Sequence, residues 1–426
     1  MPTLREEVEE ILLAAETAVE HGDMLMASLL LSYYNAALNA YFPKRSRQVF
    51  GSHVRFDAYS SEDVSDEQFS KLFLFSREEF FELDDALAPW IPHDLKASNG
   101  TKFSRTYGLQ VTLLRLTNVF LFDEMSLILG SCAQTLSFIF QAMLDLLSTS
   151  LCGGLRRLDW VVPRMPLYRA GFMKKARQLD EESGTNFPLC SSVAFAIDGS
   201  DIPIARPSSA AFEGVNCQKV SFCNIYYFFF FPNTNFLLFF LQTDCKFYYT
   251  GSHTTHAVKI QALLSPDGLC CHLGGPIEAS WHDLELLDRS GLRDELNKLQ
   301  GDDGELAVVV ADPAYVSVLG FFTNFKRAPG EMLEAEREEF NKRLSQLRTP
   351  VEWFFGQLKE RFKFLTNKER LKVGEQPIAT IVECCVLLNN LYICGRRKGQ
   401  CSIYFYGAGA TVLPTMSEYL SMIMET

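Results

Sequence analysis

Leu306–Tyr315 reads LAVVVADPAY. The unbroken apolar run over Leu306–Ala311 is the signature of a strand covered on both faces. Asp312 follows it at once, at the carboxyl end where open α/β sheets place their ligand sites. With Pro313 next, the same residue also suits a helix N-cap. Working outward, Ser192–Ile197 is a second apolar strand that runs into Asp198-Gly199. Val258–Leu264 is a third, and Pro266-Asp267-Gly268 is a strong turn signal ahead of a return strand at Leu269–Leu273. His282–Leu299 has helical periodicity, and helices resume from Glu331. Strands first, then strand alternating with helix, predict an α/β domain over about residues 190–395.

The 426 residues suffice for two or three domains, and 47% hydrophobic with 22% charged residues is ordinary globular composition. A formal net charge of −12 argues against a nucleic-acid surface spread over the whole chain. The charge is uneven, however. Residues 1–100 hold 18 acidic and 8 basic side chains, whereas residues 341–372 hold 9 Lys/Arg against 3 acids. A DNA-facing surface fits that later segment. None of the 12 cysteines forms a CxxC pair. The doublets Cys270-Cys271 and Cys384-Cys385 lack zinc-ligand spacing and read as buried thiols of a reducing compartment. MPTLREEVEE at the N-terminus has no signal-peptide core.

Residues 1–185 read as an all-helical region. Residues 4–42 give two helices broken at His21-Gly22-Asp23, residues 43–70 a polar linker, and Ser76 with Glu79 a capping box. Residues 104–150 give three helical segments separated near Asp123 and Gly130-Ser131, with a helix-turn-helix outline. A plain bundle is the simpler reading there, since Ala133–Leu147 carries no Lys or Arg to meet phosphate. Residues 406–426 read as a C-terminal tail. Residues 220–242, VSFCNIYYFFFFPNTNFLLFFLQ, are an anomalous insert. Its halves, split by Pro232-Asn233-Thr234-Asn235, fall far short of the ~20 residues that span a membrane. A hairpin would put phenylalanines on both strand faces. A translated intron is the third reading: Val-Ser can be encoded by a GT-type donor, Gln242 can end in CAG, and removal keeps the frame.

Cleaving a phosphodiester needs an activated oxygen nucleophile and charge relief on the leaving oxygen, which two divalent ions supply. Hard oxygen ligands hold such ions, so Asp and Glu are the expected residues. Asp198 and Asp312 each follow a buried strand. Glu352 lies in Asn341–Leu365, NKRLSQLRTPVEWFFGQLKERFKFL, where helical spacing puts Glu352, Gly356, Lys359 and Lys363 on one face. That face offers an acid, a gap without a side chain, and two lysines. Arg348, Lys359, Arg361 and Lys363 are the candidate phosphate contacts. Each acid also has a plainer reading. Asp198 suits an Asp-Gly turn. Glu352 suits the third position of a capping box opened by Thr349 and Pro350, which local chemistry favours. Asp283 suits the N-terminal charge of a helix, with His282 structural. Lys259 reads as a surface cation on a strand, and Trp353 and Phe354 as core.

The set in order carries more than its members. IDGS, YYTGSHTTHAVKIQALLSPDGL, GPIEASWHD, ADPAY, then N-x3-S-x2-R-x2-VEW-x2-G-x2-K-x2-F-K-F-L and a closing CSIYF resemble successive blocks of the PIF/Harbinger-type DDE transposases and their domesticated nuclease relatives. The resemblance covers about residues 190–405. It implies an RNase H-like mixed sheet flanked by helices, with Asp198, Asp312 and Glu352 as the catalytic triad and Asp283 as a further metal ligand. It implies a divalent cation, Mg²⁺ or Mn²⁺, and DNA as substrate. It leaves open a separate DNA-binding partner protein and a homo-oligomer, and it places the protein in the nucleus rather than a membrane, with Arg396-Arg397-Lys398 the one short basic run. The chain departs from the family at residues 220–242 and at Pro350. The competing expectation is a non-catalytic, domesticated or decayed relative that binds DNA or acts as a scaffold.

Overall fold

The computed structural model describes residues 65–184, 191–207, 248–250, 255–299, 306–315, 318–327 and 332–425. The helices expected over 4–42 and the aromatic segment 220–242 lie outside the described residues.

The helical region comprises α1 (Asp66–Phe73), α2 (Arg77–Leu87), β1 (Asp94–Lys96), β2 (Lys102–Ser104), α3 (Arg105–Thr117), α4 (Phe122–Leu129), α5 (Ala133–Leu151) and α6 (Met165–Ser183). The β1–β2 hairpin is the exception to the all-helical expectation. Ser76 caps α2 as read: its hydroxyl accepts from the Glu79 N–H at 3.2 Å, and the Glu79 carboxylate accepts from the Ser76 N–H at 2.8 Å. The break expected near Asp123 falls just before it, because α3 ends at Thr117 and Asp123 sits in the acidic first turn of α4. Gly130, at φ +68°, ends α4 in the left-handed conformation that a Cβ disfavours.

The sheet consists of β3 (Val193–Pro203), β4 (Tyr249–Thr250), β5 (Thr255–Leu264), β6 (Cys270–Glu278), β7 (Val308–Ala311) and β8 (Phe321–Thr323). Its order is β6-β5-β3-β7-β8. β5 is antiparallel to both β6 and β3, and β7 and β8 run parallel to β3. A three-stranded meander with two parallel strands added beyond its first member is the RNase H-like arrangement the resemblance implied. At the start of β5, His256 has Tyr249 of β4 on one side, and its carbonyl accepts from the Ile204 N–H at 2.9 Å on the other.

Three local expectations change. β3 does not turn at Asp198-Gly199 but runs on to Pro203, with Asp198 opposite Ala262 in a regular ladder. The single helix read over His282–Leu299 is two, α7 (Asp283–Arg289) and α8 (Leu292–Lys298), separated by Gly291 at φ +72°. The capping box at Thr349 does not exist. α9 (Ala335–Arg361) passes straight through Pro350, and the Thr349 hydroxyl donates back to the Ser345 carbonyl at 2.9 Å. Proline lacks the N–H that would serve the Gln346 carbonyl one turn earlier. The Tyr404 hydroxyl donates to that carbonyl instead, at 3.1 Å, so the helix continues with its acceptor satisfied.

After α9 the described residues form three further α-helices: α10 (Ile378–Arg396), α11 (Gln400–Tyr406) and α12 (Met416–Met424). α10 is the shared centre. It packs against α2 and α5 on the helical side, β6 on the sheet side, and α12. Asn390, fully buried, accepts from the Cys270 N–H at 3.0 Å and donates to the Cys270 carbonyl and the Tyr419 hydroxyl, tying β6, α10 and α12 together. One apolar cluster therefore runs from the helices into the sheet. α12, within the stretch read as a tail, buries Met416, Tyr419, Leu420 and Ile423. The stretch Ala133–Arg156 and α10 are long and apolar enough to cross a bilayer. For α10, 72% of the apolar window is buried among the other elements, which accounts for its composition.

Candidate active site

Parallel pairing of β3 with β7 puts Ala196 beside Val310. Side chains repeat every second residue, so Asp198 and Asp312, two residues further on, emerge on the same face at the same edge. α9 packs against β3 there. Its Arg348 spans two acids: one guanidinium nitrogen donates to Asp198 Oδ2, and the other donates to Glu352 Oε1 at 2.7 Å. Glu352 is half exposed, whereas Asp198 and Arg348 are largely covered. Thus Asp198 and Glu352 meet through a shared cation. Asp312 takes the capping role read for it: its Oδ1 caps the short turn Pro313–Tyr315 by accepting from the Ala314 N–H at 2.8 Å.

Asp283 opens α7, and its carboxylate reaches back over β3. A Cβ added to Gly199 would lie 3.0 Å from Asp283 Oδ1, so the acid comes this close to the strand because residue 199 has no side chain. Lys259 Nζ lies 3.1 Å from the same oxygen and also donates to the Trp281 carbonyl. Lys259, expected as a surface cation, is a wall of the site. The signal is present in the sequence, because Lys259 and Gln261 are polar at alternate positions of an otherwise apolar strand. Gln261 donates to the Tyr315 hydroxyl at 2.6 Å. Burial pushes the Tyr315 phenol up, and Asp283, Asp198 and Asp312 push in the same direction, so one side chain senses three of the four acids.

Burial also pushes the Asp198 carboxyl up, to about 6. Arg348 and the Gly199 N–H oppose that shift, and repulsion from Asp312 and Glu352 adds to it. Beside the acids lies a cleft of about 450 Å³ lined by Gly199, Ser200, Asp201, Lys259, Asp283 and Lys359, among others. Lys359 enters it from α9 and donates to the Ser200 hydroxyl at 2.8 Å, and burial lowers its ammonium below the usual lysine range.

The other expected phosphate contacts divide. Arg361 turns away from the site. Its guanidinium lies 4.5 Å from the Tyr392 ring centroid and donates to Asn389 Oδ1 and Gln357 Oε1, which makes it an internal brace. Lys363 is exposed but lies beyond the end of α9, in the turn Lys363–Thr366, so it does not continue the Glu352 face. Arg348 is engaged with the acids. Earlier on the same face, Asn341 bonds both backbone groups of Phe325, and Ser345 accepts from Asn324, which pins the exit of β8 onto α9. Asn341, Ser345, Arg348, Glu352, Gly356 and Lys359 thus form one helical stripe along the carboxyl edge of the sheet.

Among the described residues, no three His, Cys, Asp or Glu side chains converge closely enough to hold a metal ion. The chemistry of the donor set nevertheless fits a hard divalent cation. The ligands on offer are carboxylate oxygens from separate elements, and they repel one another at Asp198. The fold therefore defines an RNase H-like domain, with Asp198 and Asp312 following the apolar runs of its two central strands. Residues 240–390 match the family model of the DDE superfamily endonucleases, and over that stretch the chain is similar to a transposase-derived nuclease domain. The match takes in Asp283, Asp312 and Glu352 and begins after Asp198. No curated protein and no solved structure is matched.

Proposed function

We propose that the protein is a divalent-metal-dependent DNA endonuclease of PIF/Harbinger type, acting in the nucleus. The observation that carries this reading is the β3–β7 register, which sets Asp198 beside Asp312 under a helix that brings Glu352 to the same edge. Asp198, Asp312 and Glu352, with Asp283 beside them, would hold Mg²⁺ or Mn²⁺. When bound, such ions activate the attacking oxygen and offset charge on the leaving oxygen. The chain's own residues do the rest. Lys359 and Lys259 stand in the cleft and attract a phosphodiester backbone. Arg348, tethered to Asp198 and Glu352, fixes both carboxylates relative to the sheet. Asp198 is ionised above about pH 6 and so is ready to act as a ligand near neutrality.

The test is nicking of supercoiled DNA with Mg²⁺ or Mn²⁺ by the purified chain, by a form lacking residues 220–242, and by Asp312→Asn. Loss of nicking in Asp312→Asn supports the reading. Equal nicking by all three, or none by either form with intact acids, sinks it. A non-catalytic DNA-binding or scaffold role is the second reading. It is favoured by the Arg348 bridge, which already engages two of the acids with one positive charge, and by the net charge of −12. The basic run Arg396-Arg397-Lys398 is partly engaged within the fold, since Arg396 pairs with Glu79 at 3.2 Å.

A further inference from the structure

Gly356 stands near the carboxyl end of α9, in a continuous helical stretch that runs on to Arg361. Glycine is disfavoured in a helix relative to alanine, so a helical glycine usually answers a local need. Close helix packing is one such need, yet a Cβ built at Gly356 meets no atom of the described residues within 4 Å. Gly171, by contrast, would clash with the Tyr406 ring at 2.7 Å, which explains it by packing. Helix termination is the other common need. It does not apply either, because residues 357–361 continue the helix and Gly356 has no positive φ. Among the described residues, the fold gives no packing or capping reason for the missing side chain.

The position does. Gly356 is exposed and lies on the site stripe one turn after Glu352 and one turn before Lys359. Glu352 is tied to Asp198 through Arg348, and Lys359 reaches Ser200 at the cleft. Gly356 is therefore an open notch between an acid of the site and a partly buried ammonium. Resting on the nuclease reading, we propose that Gly356 is a clearance position for the nucleic-acid strand. The phosphodiester backbone crosses α9 at this notch, with one phosphate drawn to Lys359 and the next held toward the carboxylates. A side chain at 356 would stand in its path.

This predicts that stability and function part company. Gly356→Ala and Gly356→Gln should melt at or above the wild-type temperature, by about 1–3 °C for alanine, because the helix improves and nothing clashes. DNA affinity, read by fluorescence anisotropy of a labelled duplex, and nicking rate should fall with side-chain size. A misplaced backbone costs on the order of a hundredfold in rate, which is the loss expected for Gly356→Gln. Wild-type affinity and nicking in Gly356→Gln overturn the proposal, as does a lower melting temperature in Gly356→Ala, which would reveal a packing role. If the wild type neither binds nor nicks DNA, the nuclease reading fails and takes this inference with it. If the wild type and Gly356→Gln nick equally, only the inference falls.

Discussion

His272 offers a measurement of the fold that is independent of any activity. It sits on β6, 1% exposed, and neither ring nitrogen has a hydrogen-bond partner among the described residues. Burial, reinforced by the positive charge of Arg156 and opposed by Glu295, lowers its pKa from 6.5 to about 4. The folded protein therefore holds the ring neutral where the unfolded chain has already taken up a proton. Between pH 6.5 and about 4 the unfolded state binds more protons, so stability falls as the pH is lowered and levels off below the folded value. Each pH unit across that window costs about 1.4 kcal/mol, so the loss comes to roughly 3 kcal/mol. Asp198, raised to about 6, works in the opposite sense over its own window, because the folded state there holds the extra proton. Comparing wild type with His272→Leu cancels that contribution. Urea unfolding at a series of pH values from about 7.5 to about 4 should show the wild type losing about 3 kcal/mol more than the variant. Parallel curves would refute the reasoning. So would a variant several kcal/mol weaker at the neutral end of the series, since that would mean the ring makes a hydrogen bond after all.

Gly154→Ala should cost about 1–3 kcal/mol by overpacking, because its Cβ would lie 2.6 Å from Ile423 Cβ and 3.1 Å from the Ile423 carbonyl oxygen; an unchanged melting temperature would show that α12 does not seat there in solution. Asn390→Leu leaves the buried Cys270 N–H and carbonyl without their side-chain partner, and should cost at least ~2 kcal/mol in chemical denaturation. Arg348→Met removes the charge that holds the Asp198 pKa down, so it rises above about 6 and the acid limb of a nicking pH–rate profile moves to higher pH; Arg348→Lys should move it less, and an unmoved limb in both contradicts the bridge. Messenger-RNA reads that cross codons 219 to 243 without a gap in every transcript would dispose of the intron reading of residues 220–242.

The strands that build the site are legible because their burial is continuous. LAVVVA and SVAFAI leave no polar alternation, and both lie in the middle of the sheet. Where two readings compete locally, the fold decides by means that lie far off in sequence. The sequence offers Thr349-Pro350-x-Glu352 as a helix start, and nothing nearby says that the Tyr404 hydroxyl will supply the donor Pro350 lacks. Asp198-Gly199 likewise has the composition of a turn, and it becomes strand because Gln261 and Ala262 pair across from it. Lys259 and Arg361 escape a sequence reading for one reason: whether a cation faces a cleft or stacks on a ring such as Tyr392 depends on tertiary neighbours, and charge alone carries no direction. Register explains why the acids can be found at all. A carboxylate directly after a continuous apolar run is visible in a single line of sequence, as at Asp312, where β7 ends, and at Asp198, where β3 continues.

The arrangement around His256 bears on how this gene can be read. Ile204 lies on one side of that residue and Tyr249 on the other, so the chain leaves and re-enters the sheet about two strand spacings, or ~10 Å, apart. At ~3.3 Å per extended residue, residues 208–219 and 243–247 alone would cross that gap several times over. Among the described residues, every pairing of β3 with β5 and of β5 with β6 is made outside that interval. If the intron reading holds, removing codons 220–242 would leave the described β3–β5 and β5–β6 pairings in place, and the same strand register would serve the shorter message.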